Sequence, residues 1–205
     1  MTRSFNQQEK EDIRKRLLDL GLKHFSTYGF KKTNVDEIAR AAGISKGAFY
    51  RFYQSKEMLF MDVIEQVEIR GREEVMKVID LPGPTPRARL YAILKKAFDL
   101  FGEMPIMRFF SAGDFGMLVN QVPTEKFNEH MASDEGFFNQ LIEACRLSGI
   151  PVKVAAADVV SMLYPLVVAF LMEANSGEMR LTEKMDANLE LIAAYCLGEV
   201  KLECQ

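Results

Sequence analysis

Histidine occurs only twice in the chain, at His24 and His130. Cysteine occurs three times, at Cys145, Cys196 and Cys204, an odd number with no C-x-x-C pair. That usage supports neither a disulfide framework nor a cysteine zinc site, and it suits a reducing cytosol. Two catalytic signatures are also missing: the phosphate-cradling G-x-x-x-x-G-K and H-E-x-x-H. The two histidines fall in separate predicted domains, so a serine–histidine or metal site lacks material. The chain therefore reads as a non-enzyme with no catalytic residues, no metal and no cofactor. Long apolar runs are scarce as well. The most apolar stretch is the 14 residues between Asp158 and Glu173, and it contains Ser161 and Pro165. A membrane span needs about 18 or more. Met1 to Lys10 is polar and lacks the apolar core of a signal peptide. A cytoplasmic protein without a membrane partner is expected.

What is present is a balanced globular composition, 48% hydrophobic and 27% charged over 205 residues. The net charge of −3 conceals an asymmetry: residues 1–56 carry twelve Lys/Arg against six acids, and the remainder is net −9. A small basic head on an acidic body is the pattern of a polyanion-binding module joined to a domain with another task. Chance clustering of solvated charges would look the same.

Helical periodicity runs throughout, and no period-two alternation is long enough to require a strand. The fold class is all-α. Ile13, Leu17, Leu20 and Phe25 mark a first helix that stops near Tyr28-Gly29. Val35, Ile38, Ala39 and Ala42 mark a second, with Thr33 as its expected N-cap and Gly43 as its end. Ser45 caps a third helix through Phe49 and Tyr53, and Ser55 caps a long one reaching about Ile79. Pro82, Pro84 and Pro86 then break the pattern. Further helices are expected over roughly Pro86–Phe101, Thr124–Leu147, Val152–Glu173 and Thr182–Leu197, with a break at Ser176-Gly177. The expected division is a head of residues 1–54 and a body of residues 55–205.

The window from Thr33 to Tyr53 is a helix, a glycine-bearing turn and a second helix, a shape that lays a recognition helix in the major groove. At 100° per residue, Lys46, Gly47, Tyr50 and Gln54 share one face of the second helix, opposite Ala48, Phe49 and Phe52. Glycine early in a helix costs roughly 1 kcal/mol relative to alanine. Close approach to a base edge or sugar-phosphate would be a reason to keep it. Lys56 opens the long helix, where a cation opposes the macrodipole unless a phosphate binds there.

The segment T-N-V-D-E-I-A-R-A-A-G-I-S-K-G-A-F-Y-R-F-Y-Q-S-K-E-M-L, with Phe25-Ser26-Thr27-Tyr28-Gly29-Phe30 upstream, resembles the TetR/AcrR family of bacterial transcriptional regulators over about the first 60 residues. The resemblance implies an all-helical homodimer with an N-terminal helix-turn-helix DNA-binding domain and a C-terminal ligand-binding and dimerisation domain. By motif position Thr33, Lys46, Gly47, Tyr50 and Lys56 look like DNA contacts, with Ala48 and Arg51 beside them. Many relatives have histidine then phenylalanine where this chain has Phe52-Tyr53. Whatever that histidine contacts, Phe52 cannot replace its hydrogen bond.

In the acidic body, 15 Phe and Met residues lie between Phe98 and Met172. Phe98, Phe101, Met104, Met107, Phe110, Phe138, Met162 and Phe170 are the candidate lining of an apolar effector pocket, although any helical bundle also needs such residues for its core. Arg108, Asp114, Asn120 and His130 are polar groups available to orient an effector, with His130, next to Glu129, reading as a surface residue. The two C-terminal helices are the expected dimer face. A symmetric dimer would set two recognition helices about 34 Å apart, matching a palindromic double-stranded operator. The chain is thus expected to be a regulator, as a repressor, released by a small apolar or amphipathic effector. The alternative is a helix-turn-helix-like protein-interaction adaptor without specific DNA binding, which would lack the steep salt dependence of phosphate contacts.

Overall fold

The structure is a computed structural model that describes residues 5–109, 112–173 and 183–200. All regular structure among them is helical: α1 (Gln7–Lys32), α2 (Val35–Ala41), α3 (Lys46–Phe49), α4 (Lys56–Met76) and α5 (Pro86–Glu103) come first. A 3₁₀ turn at Pro105–Phe109 follows, then α6 (Ala112–Gln121), α7 (Thr124–Leu147), α8 (Ala156–Glu173) and α9 (Glu183–Cys196). No described helix is long and apolar enough to cross a membrane.

Local chemistry accounts for most of these boundaries. The Asn6 side chain accepts from the Glu9 amide at 2.8 Å while Glu9 reaches back to the Asn6 amide, a full capping box opening α1. Within α1, Gly29 stands at φ 76°, which breaks the helical path one residue after Tyr28. Gly43, at φ +76°, turns the chain after α2, and Ser45 then caps α3 by accepting from the Ala48 amide at 3.2 Å. Thr85 caps α5 in the same way, with Pro86 as the first helical residue.

Four expectations need correction. The cap of α2 is Asn34, whose side chain accepts from the Asp36 amide at 2.9 Å. Thr33 instead closes α1, and both its amide and its hydroxyl donate to the Gly29 carbonyl. The helix expected to run from Ser45 through Tyr53 is a single turn, ending at Phe49, with turn structure carrying the chain through Phe52. α8 begins at Ala156 rather than Val152, because Asp158 accepts from the Ala155 amide and fixes the start there. The 3₁₀ turn and α6 were not anticipated, since short glycine-bearing segments give little periodicity to read. The break at Ser176-Gly177 and the start at Thr182 lie outside the described residues.

The chain divides into two compact units, one of residues 1–67 with 105–122, the other of residues 68–104 with 123–205. The first is built around Leu17, Phe25, Phe30, Ile38, Phe49, Leu59 and Phe60, all almost fully buried. Phe60 meets Phe25 edge-on at 4.9 Å and Phe30 at 4.8 Å between ring centroids. α1 and α4 approach closely here: a Cβ on Gly21 would lie 3.1 Å from Val63. The 3₁₀ turn packs against α1, burying Ile106 and Met107. Asp114 of α6, almost fully buried, pairs with Lys31 at 3.0 Å.

The second unit gathers Leu90, Leu94 and Phe98 of α5, Leu141 and Cys145 of α7, Leu163 of α8, and Leu189 and Ala193 of α9 into one core. Polar ties fasten its edges. The Arg89 guanidinium donates to the Ser148 and Ile79 carbonyls at 2.9 Å each, and the Tyr91 hydroxyl donates to Asp186 at 2.6 Å.

Candidate nucleic-acid interface

Ser45 points its oxygen at the Ala48 amide, so α3 starts with Lys46 and Gly47 facing outward. Burial of Phe49 and Tyr53 on the inner side leaves Lys46, Gly47, Tyr50, Arg51 and Gln54 exposed and Ala48 half-buried. The outward face expected from helical spacing is therefore the face the structure exposes. Tyr50 keeps 46% of its surface in solvent although its ring stands edge-on to Phe49 at 5.4 Å. A buried core tyrosine would not be so open.

Gly47 has an informative environment. A Cβ built there meets nothing within 4 Å, and the residue is not among the glycines with positive φ. Neither packing nor backbone conformation requires glycine at this place.

Lys46 is not isolated. Its ammonium donates to Asp36 Oδ2 of α2 at 3.0 Å, which raises its pKa above the ordinary value. Asp36 was missed as a partner, because it lies ten residues away across the turn and no local period links the two. The pair orients the lysine over the helix-turn-helix and places one carboxylate beside the basic face.

Thr33 and Lys56 stand behind this face. Thr33 is 4% exposed, with its hydroxyl hydrogen directed at Gly29. Lys56 is the first residue of α4, whose cap Ser55 accepts from the Met58 amide at 3.2 Å. Its ammonium donates to the carbonyls of Phe30 at 2.9 Å and of Lys31 and Thr33 at 3.4 Å, 4.6 Å from the Phe30 ring centroid. A cation ill placed at the start of its own helix thus sits at the negative end of α1, satisfying carbonyls that the helix leaves over. Partial burial lowers its pKa, and Glu57 and Asp114 oppose that shift. Phe52 is half-buried with its ring 6.0 Å from Phe5.

The expected effector lining is only partly assembled. Phe170 meets Phe98 edge-on at 6.3 Å and Phe101 at 5.8 Å, and Phe138 and Met162 pack on the same core. The Met104 methyl approaches Gly71 of α4. Met107 belongs to the first unit, and Phe110 lies outside the described residues. A groove of about 330 Å³, lined by Met76, Ile79, Asp80, Ala144, Leu147 and Ser148, shares no residue with that set. Of the four polar candidates, Asp114 is held by Lys31 in the first unit, Asn120 is exposed, and the Arg108 side chain is not among those described. His130, expected on the surface, has only 14% of its side chain exposed.

Residues 17–63 match the family model of bacterial regulatory proteins, tetR family. The chain is similar to the HTH-type transcriptional regulator AcrR of Shigella flexneri, 39% identical over 77 residues, which cover 37% of this chain and 36% of that protein. An uncharacterised HTH-type regulator of Bacillus subtilis, YhgD, is 25% identical over 144 residues, 65% of this chain and 74% of its own. In overall fold the chain is similar to Thermus thermophilus FadR, a TetR-family repressor solved with lauroyl-CoA, at a TM-score of 0.60 and 20% identity over 93% of this chain and 97% of that one. It is also similar to Bacillus subtilis FadR with stearoyl-CoA, at a TM-score of 0.57 and 14% identity over 91% and 99%. The helix-turn-helix thus lies inside a segment that matches the tetR family of bacterial regulatory proteins, and the all-helical fold is similar to that of these regulators.

Proposed function

We propose that this protein is a ligand-responsive transcriptional regulator that binds operator DNA through the α2–α3 face and acts as a repressor. The observation that carries the reading is the exposed face of Lys46, Gly47, Tyr50 and Arg51 inside the family-matched segment, with a glycine that the fold itself does not need. Lys46 and Arg51 neutralise phosphate, Gly47 and Ala48 let the backbone approach, and Tyr50 offers a ring and a hydroxyl to the groove. Thr33 and Lys56 hold the ends of α1 and α4 that present the face.

A homodimer on a palindromic operator is part of the same proposal. α8 and α9 keep apolar side chains in solvent, Met172 at 63% exposure and Leu191 at 59%, with Val160, Tyr164 and Val168 half-exposed, as an uncovered subunit face would. The effector class is apolar or amphipathic, supported by the Phe98–Phe170–Phe101 cluster and by the acyl-CoA held in the two FadR structures. The body's acidic balance and the absence of a catalytic constellation in the sequence fit a sensing role.

Fluorescence anisotropy with duplexes from the DNA flanking the gene tests the reading. Affinity should fall steeply with salt, by a slope near −0.9 per phosphate neutralised. Tyr50→Ala should abolish specific binding with unchanged dimerisation and melting. Salt-independent binding, or none to any flanking fragment, would support the adaptor reading instead.

A further inference from the structure

Four polar side chains of the second unit, Glu68, Arg72, His130 and Asp134, meet where α4 passes α7, and neither the proposed DNA face nor the aromatic cluster uses them. Glu68 and Arg72 lie one turn apart on α4, and His130 and Asp134 one turn apart on α7. His130 directs Nδ1 at Glu68 Oε2 and Nε2 at Asp134 Oδ2, each at 3.8 Å. The side chains of Glu68, His130 and Asp134 are 17%, 14% and 29% exposed, so the group is largely withdrawn from water. One ligand atom from each residue lies within 4.8 Å of the others.

We propose that Glu68, His130 and Asp134 form a binding site for a divalent first-row transition-metal ion of the zinc, cobalt or nickel class. One imidazole nitrogen with two carboxylate oxygens is a donor set of that borderline class, whereas calcium takes six or more oxygens. With metal–donor bonds of about 2.1 Å, tetrahedral donors stand about 3.4 Å apart; His130 Nε2 and Asp134 Oδ2 are 3.8 Å apart, while Glu68, whose 3.8 Å contact is to the other ring nitrogen, lies within 4.8 Å of the shared donors and has further to close.

Arg72 is the feature that shapes the site. Its guanidinium donates to Asp134 Oδ1 at 2.6 Å and to Ser133 Oγ at 2.9 Å, and lies 5.3 Å from the Phe137 ring centroid. Those contacts anchor it on α7 and fix the Asp134 carboxylate with Oδ2 turned toward His130, the supporting role that hydrogen bonds to ligating carboxylates play. Its Nη2 lies 3.6 Å from Glu68 Oε2, so the same guanidinium also faces the second carboxylate. Three protein donors leave a coordination position open, the mark of an exchangeable site rather than a closed structural one. The sparse histidine count pointed away from any metal; the set arises from an i, i+4 pair and a residue 62 positions earlier in the chain.

The test needs no DNA and is independent of the regulator reading. Tag-free full-length protein, freed of metal with a chelator, is titrated with zinc chloride by calorimetry and with cobalt chloride by visible absorption. One ion per chain is expected, with a cobalt spectrum of nitrogen and oxygen ligation and a melting temperature that rises with zinc and falls back with chelator. His130→Gln and Asp134→Asn should each weaken binding at least tenfold, with metal-free circular dichroism and melting matching the parent. Absence of stoichiometric binding by the unaltered protein would overturn the proposal, whatever the variants do. So would a thiolate-to-cobalt charge-transfer band, which would place the ion on cysteine, or undiminished affinity in a folded His130→Gln protein.

Discussion

Replacing Gly47 by alanine separates what the fold needs from what a partner needs. The added methyl meets nothing within 4 Å, and the backbone there is outside the left-handed region, so alanine enters without clash or strain. Alanine is favoured over glycine by about 0.8–1 kcal/mol in a helix interior. α3 is a single turn and Gly47 its second residue, so about half of that, roughly 0.5 kcal/mol, is the expected gain. For a chain of this size 1 kcal/mol moves the melting temperature by about 2–4 °C, which predicts a rise of about 1–2 °C.

Operator affinity should move the other way. If DNA lies against the Gly47 Cα, the new methyl forces the duplex back and weakens the short contacts of Lys46 and Tyr50 beside it. A loss of tenfold or more, about 1.4 kcal/mol, is expected from anisotropy titrations at fixed salt. Melting is followed at the same protein concentration for both chains, because association itself stabilises. A variant that melts higher and binds the operator as tightly as its parent would refute the close-approach argument. So would one that melts lower, since the glycine would then have an internal purpose that the open space around it denies.

Asp36→Asn removes the one carboxylate that holds Lys46, so operator affinity should increase and its salt dependence steepen by up to one phosphate's worth; unchanged binding would mean that the pair persists on DNA. Lys56→Met deprives three carbonyls at the end of α1 of their donor, and should lower the melting temperature by several degrees while leaving the salt slope of DNA binding unaltered. A slope flattened by about one unit without loss of stability would instead place Lys56 on a phosphate. Burial pushes the Cys145 thiol up to about 11 and the Cys196 thiol up to about 12, so at pH 8 neither should react with a thiol-specific chromogenic reagent until denaturant is added. Because their folded values exceed the ordinary 9.0, the stability they confer is complete below about pH 9 and is lost as pH rises through 11 to 12; alkaline melting should show the decline, and rapid native labelling of both would refute the burial.

How much of this was legible from residues alone depended on how far each determinant lies along the chain. Ser45, Gly43 and Pro86 act on neighbours within four residues, and the helix ends they set were read correctly, although the far end of α3 was not. Thr33 and Asn34 are adjacent and both able to cap, and only the fold decides between them: Thr33 is turned back to Gly29, so Asn34 serves. The 3₁₀ turn and α6 owe their place to packing against α1 and to the Lys31–Asp114 pair, links of more than eighty residues that leave no local period. The exposed face of α3 was legible because amphipathic spacing survives even in one turn, whereas Asp36 beside Lys46 was not.

Lys56 shows where such reading stops. A lysine at the first position of a helix breaks a local electrostatic rule, and a broken rule points to a compensating group elsewhere. Sequence identifies the need but not what meets it, because a phosphate on DNA and the carbonyl end of another helix offer a lysine the same thing, negative charge at hydrogen-bond distance. The choice rests on whether α1 ends within reach of α4. Here it does, since Gly29 bends the last turn of α1 and brings the carbonyls of Phe30, Lys31 and Thr33 onto the ammonium. We therefore propose that Lys56, which looked most like a phosphate ligand, acts by joining α1 to α4 beneath the candidate face, so that its removal disturbs DNA binding through the shape of that face rather than through its charge.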